Sequence, residues 1–476
     1  MTPLWRLADL LAATGGRAVG APAEATTGLS IDTRTLAPGE AFFAITGERL
    51  DGHDYVAAAL AAGASLAVVA ESRLAGLPAD GRYVVVPDVL AALVDLARAA
   101  RARSRAGIVA VTGSVGKTGT KEMLRIALGA SGPVHASVAS FNNHWGVPLS
   151  LARLPAEAAF GVFEIGMNAP GEITPLVRLV RPHAAIVTTV VAAHAAYFAS
   201  EETIADAKAE ILVGVEPDGT AILNADNRHF ARLAAAAAVA GVARVVSFGA
   251  AEGATVRLLA ERLQAEGSDV DVSLAGRRIA YRLGAPGHHL VMNSLAVLAA
   301  TEAVGADVAA AAAALAGFGA PAGRGARTVL AVPGGTATLI DEAYNANPSS
   351  MRAAFEVLAL APVGPGGRRI AVLGDMLELG PDGAALHAGL AGPLAAVGID
   401  RVHTAGPLMK ALHDALPATV RGAWAETAAD LEAAVVADVA AGDVVMIKGS
   451  NGSRTGRIVA ALKTRFAVPA SGGSGG

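Results

Sequence analysis

The chain has no cysteine in 476 residues, which excludes disulfides, thiolate metal sites and cysteine nucleophiles together. It also lacks a basic excess: 38 Lys and Arg stand against 42 Asp and Glu, a formal net charge of −4. No global positive field exists to attract nucleic acid, so any phosphate-bearing ligand must be met by local groups. A membrane-length apolar run is missing as well. The nearest approach, residues 182–200, has no Asp, Glu, Lys or Arg, but it is built largely of Ala and holds His183, Thr188, Thr189 and His194. A buried strand followed by a loop is expected there, not a membrane span. The first residues carry Asp9 inside their apolar stretch and show no secretory-signal series. The expectation is a soluble cytoplasmic protein with no nucleic-acid partner and no membrane insertion.

What is present points to several domains. The length exceeds one ordinary core, and 53% hydrophobic with 17% charged residues is a globular composition. Residues 1–87 alternate short apolar segments (41–45, 66–70, 83–86) with a helical pattern at 55–62 and read as a small α/β unit. Pro87 and Asp88 then open an Arg-studded helix ending near Arg105. Residues 88–317 alternate again, with strands expected at 108–111, 160–163, 185–189 and 220–223, which implies a mostly parallel sheet covered on both faces. A Gly/Pro-rich stretch, GFGAPAGRG at 317–325, leads into a third unit, 318–467, with strands expected at 338–340, 370–373, 401–404 and 444–447. That rhythm is Rossmann-like. Residues 468–476 read as a flexible tail. The fold class is therefore α/β, in three modules whose short linkers invite closure over a ligand.

The strongest local signal is IVAVTGSVGKTGTKEML. An apolar strand enters a loop of Gly113, Ser114, Val115 and Gly116, followed by Lys117, Thr118 and Gly119 at the start of a helix. Glycines let backbone N–H groups turn toward phosphate oxygens, and the helix start adds donors and a favourable dipole. Lys117 would neutralise the β/γ-phosphates and the Thr118 hydroxyl would sit on Mg²⁺. The spacing is the short GxxGK[ST] form. An exposed lysine on a glycine turn is the plainer reading, but it leaves the Lys-Thr pair at the helix start unexplained.

Three polar residues interrupt apolar segments nearby. Glu164 ends an expected strand, at the sheet edge where ligands bind. His194 follows the next strand by a few residues, a position where a histidine is often structural. In SEETIADAKAEIL, Ser200 suits an N-cap, and Ile204, Lys208 and Ile211 fall at i, i+4 and i+7, so Lys208 shares the apolar face. It could snorkel at the rim of that face. A desolvated lysine, alternatively, loses its proton readily, as chemical modification of the amine requires.

These residues carry a resemblance. GSVGKT, FNNHWGVPLSLARL (141–154), EIGMNAPGEI (164–173), AAH followed by ADAKAEI, DEAYNANP (341–348), VLGDMLELG (372–380) and KGS (448–450) occur in the order seen in Mur ligases. The resemblance covers nearly the whole chain. It implies a uridine-nucleotide-binding first domain, a central P-loop ATPase domain and a Rossmann-like third domain. It further implies amide-bond formation between a UDP-N-acetylmuramoyl tripeptide and D-alanyl-D-alanine, using ATP and two Mg²⁺ ions; a monomer is expected. By the same resemblance, residues 113–119 hold ATP, and Thr118, Glu164, His194 and a carbamylated Lys208 are metal ligands. Asn293 contacts the nucleotide, and Arg324 and Asp341 reach the ATP once the domains close. Asn142, Asn143, Tyr344, Asn345 and Asn347 meet substrate, and Ser30, Thr33 and Arg34 bind the uridine diphosphate. The sequence departs from the family at Gly119, where Thr or Ser is usual, at His144 and Trp145, and at Asn451 and Gly452 after KGS.

Two other readings share part of this pattern. A sister ligase, such as a folylpolyglutamate synthase, would keep the phosphate loop but lack DEAYNANP and the uridine-type segment. An ATP-regulated switch would keep the loop and make no bond.

Overall fold

The structure, a computed structural model, describes residues 3–138, 141–192, 198 and 200–468. His194 and the tail at 469–476 lie outside the described residues, as do their expected roles. Among the described residues the strands form four sheets. The first unit holds a two-stranded ribbon (Trp5–Arg6 with Ala25–Thr26) and a five-stranded sheet. In the latter, Gly28–Ser30, Glu40–Phe43, Leu66–Ala70 and Tyr83–Val86 run parallel and Arg17–Val19 closes the edge antiparallel.

The central sheet has nine strands. From one edge, Val134–Ala136, Phe160–Glu164, Gly107–Thr112, Ala184–Val187, Thr220–Asn224 and Arg244–Gly249 are parallel. Their side chains divide between faces with period two, as strands require. Ile108 and Ala110 enter one apolar cluster while Val109 and Val111 enter another. Both faces are therefore buried, which is why these strands read as continuous apolar runs. Beyond 249 lie three further strands, Val256–Gln264, Gly267–Leu274 and Arg277–Leu283, each of the last two antiparallel to the one before it. No expected strand fell here, because this meander alternates polar and apolar residues (GSDVDVSL) and carries charge pairs on its open face. Arg278 bonds Asp271, and Arg282 reaches Asp269 at 3.1 Å.

The third unit has a six-stranded sheet, all parallel except for the edge strand Ala326–Val332. Its apolar clusters contain no residue before Leu330. The first two units are less separate than their sequence suggests. One cluster runs from Trp5, Leu29 and Phe43 through the helix Val89–Arg103 into the central strands. The Trp5 indole donates to the Ala152 carbonyl at 2.9 Å, and Arg103 lies 3.5 Å over its ring. The first and central units thus share one core, while residues of the third line a cleft opposite the central unit. No helix among the described residues is long and apolar enough to cross a membrane.

Candidate active site at the sheet switch point

Strand Gly107–Thr112 lies between Phe160–Glu164 and Ala184–Val187. The chain leaves it toward opposite sides, which opens a crevice at the carboxyl edge. The pairing register delivers the site. Glu164 is opposite Val111, and Val187 is opposite Thr112, so both neighbouring strands end beside the loop 113–116.

That loop is held by the segment after Val187. Ser114 N–H donates to Thr189 O at 2.8 Å, and the Ser114 hydroxyl donates to Val191 O at 3.0 Å. The Thr188 hydroxyl donates to Val115 O at 2.5 Å. Two glycines make the turn possible. Gly113 has φ +150°, and a Cβ there would lie 1.9 Å from the Thr188 hydroxyl; Gly116 has φ +89°, and a Cβ would meet the Asn293 amide at 2.7 Å. Gly116 precedes the helix Lys117–Gly129, whose first amides have no carbonyl one turn earlier and face the cleft. Gly116→Ala is expected to cost about 1–2 kcal/mol of backbone strain and to displace Asn293. Calorimetric titration with ADP should read this as about tenfold weaker binding, and unchanged affinity would remove Gly116 and Asn293 from the nucleotide site.

The charged groups converge here. The Glu164 carboxylate is fully buried. It accepts from the Thr118 hydroxyl at 2.8 Å and from the Asn142 amide at 2.7 Å. Two neutral donors are meagre company for a buried carboxylate, an arrangement suited to a cation. Lys117 donates to Gly113 O at 2.7 Å. Burial lowers its pKa, the Glu164 charge opposes this, and Arg324 adds to it. Lys208 is not among the cleft-lining residues; it is buried behind them, with no hydrogen-bond or ion-pair partner among the described residues. Burial first, and the Lys117 charge second, push its pKa well below the ordinary lysine value. Among the described residues no three His, Asp or Glu are grouped so as to hold a metal by themselves.

Across a cleft of about 500 Å³, the third unit supplies the opposite wall. Arg324 lies 4.2 Å over the Tyr344 ring. Lys448 donates to Glu342 at 3.1 Å and to Asn345 O at 3.0 Å. Residues 114–119, Asn142, Asn143, Glu164, Asn293, Arg324, Tyr344, Asn345 and Asn347 all line this cleft. Asn347 also caps the helix Pro348–Leu360 by accepting from Ser350 N–H at 2.9 Å.

Other expected residues fall elsewhere. Asp341 accepts from Ala343 N–H at 3.2 Å and lies 3.9 Å from Lys463, and it is not among the lining residues. Its neighbour Glu342 is, because adjacent strand residues point to opposite faces. Ser30, Thr33 and Arg34 lie in the first unit, away from the cleft lining. There Arg34 pairs with Asp32, and the Ser30 hydroxyl bonds the Asp32 backbone. Sequence reading also passed over His289, which lines the cleft and whose pKa is lowered by burial, with the Glu342 charge opposing this and Lys448 adding to it. Its position four residues before Asn293 on one helix face was the available signal.

Comparison with known proteins covers all three units. Family models described as "Mur ligase family, catalytic domain", "Mur ligase middle domain" and "Mur ligase, glutamate ligase domain" match residues 25–101, 111–301 and 323–451. The UDP-N-acetylmuramoyl-tripeptide–D-alanyl-D-alanine ligase of Escherichia coli K12 is 37% identical over 81% of this chain and 83% of its own length. The ligase of the same name from Bacillus subtilis is 32% identical over 91% and 92%. A crystal structure of MurF from Acinetobacter baumannii superposes with a TM-score of 0.81 at 29% identity, covering 97% of this chain and 99% of that one.

Proposed function

The chain belongs to the Mur ligase family, and from that premise we propose that it joins D-alanyl-D-alanine to a UDP-N-acetylmuramoyl tripeptide, the substrates in its relatives' names, and that it does so through an acyl phosphate. One observation carries this reading. The phosphate loop, the Thr118–Glu164 pair and the third unit's Arg324 and Lys448 all face a single cleft.

The loop amides and Lys117 bind and orient the ATP phosphates. Mg²⁺ would need few protein ligands here, since it usually keeps several waters and binds substrate phosphates. Thr118 and Glu164 fit that role, and the ion supplies charge neutralisation for phosphoryl transfer. The tripeptide's terminal carboxylate oxygen bonds to the γ-phosphorus as the bond to ADP breaks. The amine of D-alanyl-D-alanine then attacks the acyl carbon, and the tetrahedral species expels phosphate and leaves an amide. Arg324 stabilises the phosphate charge across the cleft, and closure of the third unit excludes the water that would hydrolyse the acyl phosphate. Asn142, Asn143, Tyr344, Asn345 and Asn347 orient the reacting ends, while Ser30, Thr33 and Arg34 anchor the uridine diphosphate on the first unit.

A neutral Lys208 amine suits attack on CO₂, giving an anionic carbamate and releasing a proton; the carbamate would hold a second Mg²⁺, with His194 as a further ligand. We assign Asp341 a supporting role behind Glu342. The divisions at 87/88 and 317/318 separate uridine, ATP and amine-substrate functions. We propose that it acts as a monomer, and its use of ATP suits the cytoplasm. The test is phosphate release with each substrate withheld in turn. Release should require ATP, the UDP-muramoyl tripeptide and D-alanyl-D-alanine together; release indifferent to both peptides would refute ligase function.

A further inference from the structure

Glu210 lies two residues beyond Lys208, where the helix Glu201–Ala209 passes into a 3₁₀ turn. Its carboxylate reaches across to another element. One oxygen accepts from Gly171 N–H at 2.6 Å. The other accepts from Thr174 N–H and from the Thr174 hydroxyl, both at 3.0 Å. The helix Ile173–Val180 has no side-chain cap of its own, so Glu210 serves as its cap from a distant segment, with the helix dipole favouring the negative charge.

The loop so held, 165–172, leaves directly from Glu164. Gly166, Met167, Asn168 and Glu172 line the cleft. Gly166 N–H donates to Asn142 O at 2.8 Å, and the Asn142 side chain donates to Glu164. Slack in this loop would therefore pass to Glu164 through Asn142. Glu210 thus joins the segment that carries Lys208 to the segment that follows Glu164, and among the described residues its hydrogen-bond partners, Gly171 and Thr174, are not ones that line the cleft.

We propose that Glu210 is a positioning residue that sets the spacing of Glu164 and Lys208, and through it the affinity of the metal site. This rests on the assignment of those two side chains to metal binding. Glu210→Gln is the sharp test, because an amide nitrogen cannot accept from Gly171 or Thr174. Mn²⁺ affinity is read by electron paramagnetic resonance on the full chain with a non-hydrolysable ATP analogue. Glu210→Gln should weaken Mn²⁺ binding about tenfold, the usual scale for residues that orient metal ligands. The KM for Mg²⁺ should rise likewise while kcat at saturating Mg²⁺ stays within about twofold. Thr174→Val, which keeps both backbone bonds, should show a smaller loss, and the double variant should lose less than the sum of the two. Wild-type Mn²⁺ affinity in Glu210→Gln, with only a lower melting temperature, would make Glu210 a mere stabiliser and overturn the proposal. No Mn²⁺ binding by the unaltered protein with nucleotide would instead overturn the metal-site reading on which it stands.

Discussion

Lys117→Ala should abolish ligase turnover, by about 10³-fold or more, while leaving the protein folded. The size follows from chemistry that depends on position and charge, where removal of one preorganised group aimed at the transferring phosphoryl is worth that much. Lys117 starts the helix that faces the cleft and is held there by a single bond to Gly113 O. Its burial lowers its pKa, so the folded state bears a cost for keeping the charge, and removal should not reduce thermal stability. Phosphate release with all three substrates, alongside a melting curve, checks both halves. Near-normal turnover would detach the glycine loop from catalysis.

Lys208→Ala should also lose activity, by about 10²-fold or more, at or beyond the upper end of the loss seen when residues that orient metal ligands are removed, yet respond to small carboxylic acids. The ammonium form of Lys208 repels both a cation and Lys117. Burial and that repulsion favour the neutral amine, which is the form able to take up CO₂. Replacing the side chain by a methyl group opens a small cavity where formate or acetate can present the missing anionic oxygens. Activity should rise with acid concentration and saturate, and alkylamines of similar size should do nothing. An inactive, well-folded variant that no acid restores would tell against the carbamate.

How much of this was legible beforehand differs from residue to residue. Gly113, Gly116, Lys117 and Thr118 act through a contiguous strand, turn and helix, so their order in the chain already carries their geometry. Glu164 and Thr118 are 46 positions apart, and their 2.8 Å contact exists because two strands pair in one register. Asp341 and Glu342 show the limit of motif reading: both belong to DEAYNANP, but strand periodicity allows only one of them to face the cleft. The meander at 256–283 was missed because its alternation of polar and apolar residues differs from the buried parallel strands before it.

The sequence by itself determined the family, the three α/β units and the phosphate loop, because each is written in local periodicity or in adjacent residues. Only the tertiary structure decided that the first two units share one core, that Glu342 and not Asp341 lines the cleft, and that Glu210 ties two ligand-bearing segments together. Those outcomes depend on which strand edges align and which faces meet, and contacts between residues far apart in the chain are set by packing, which no short motif contains.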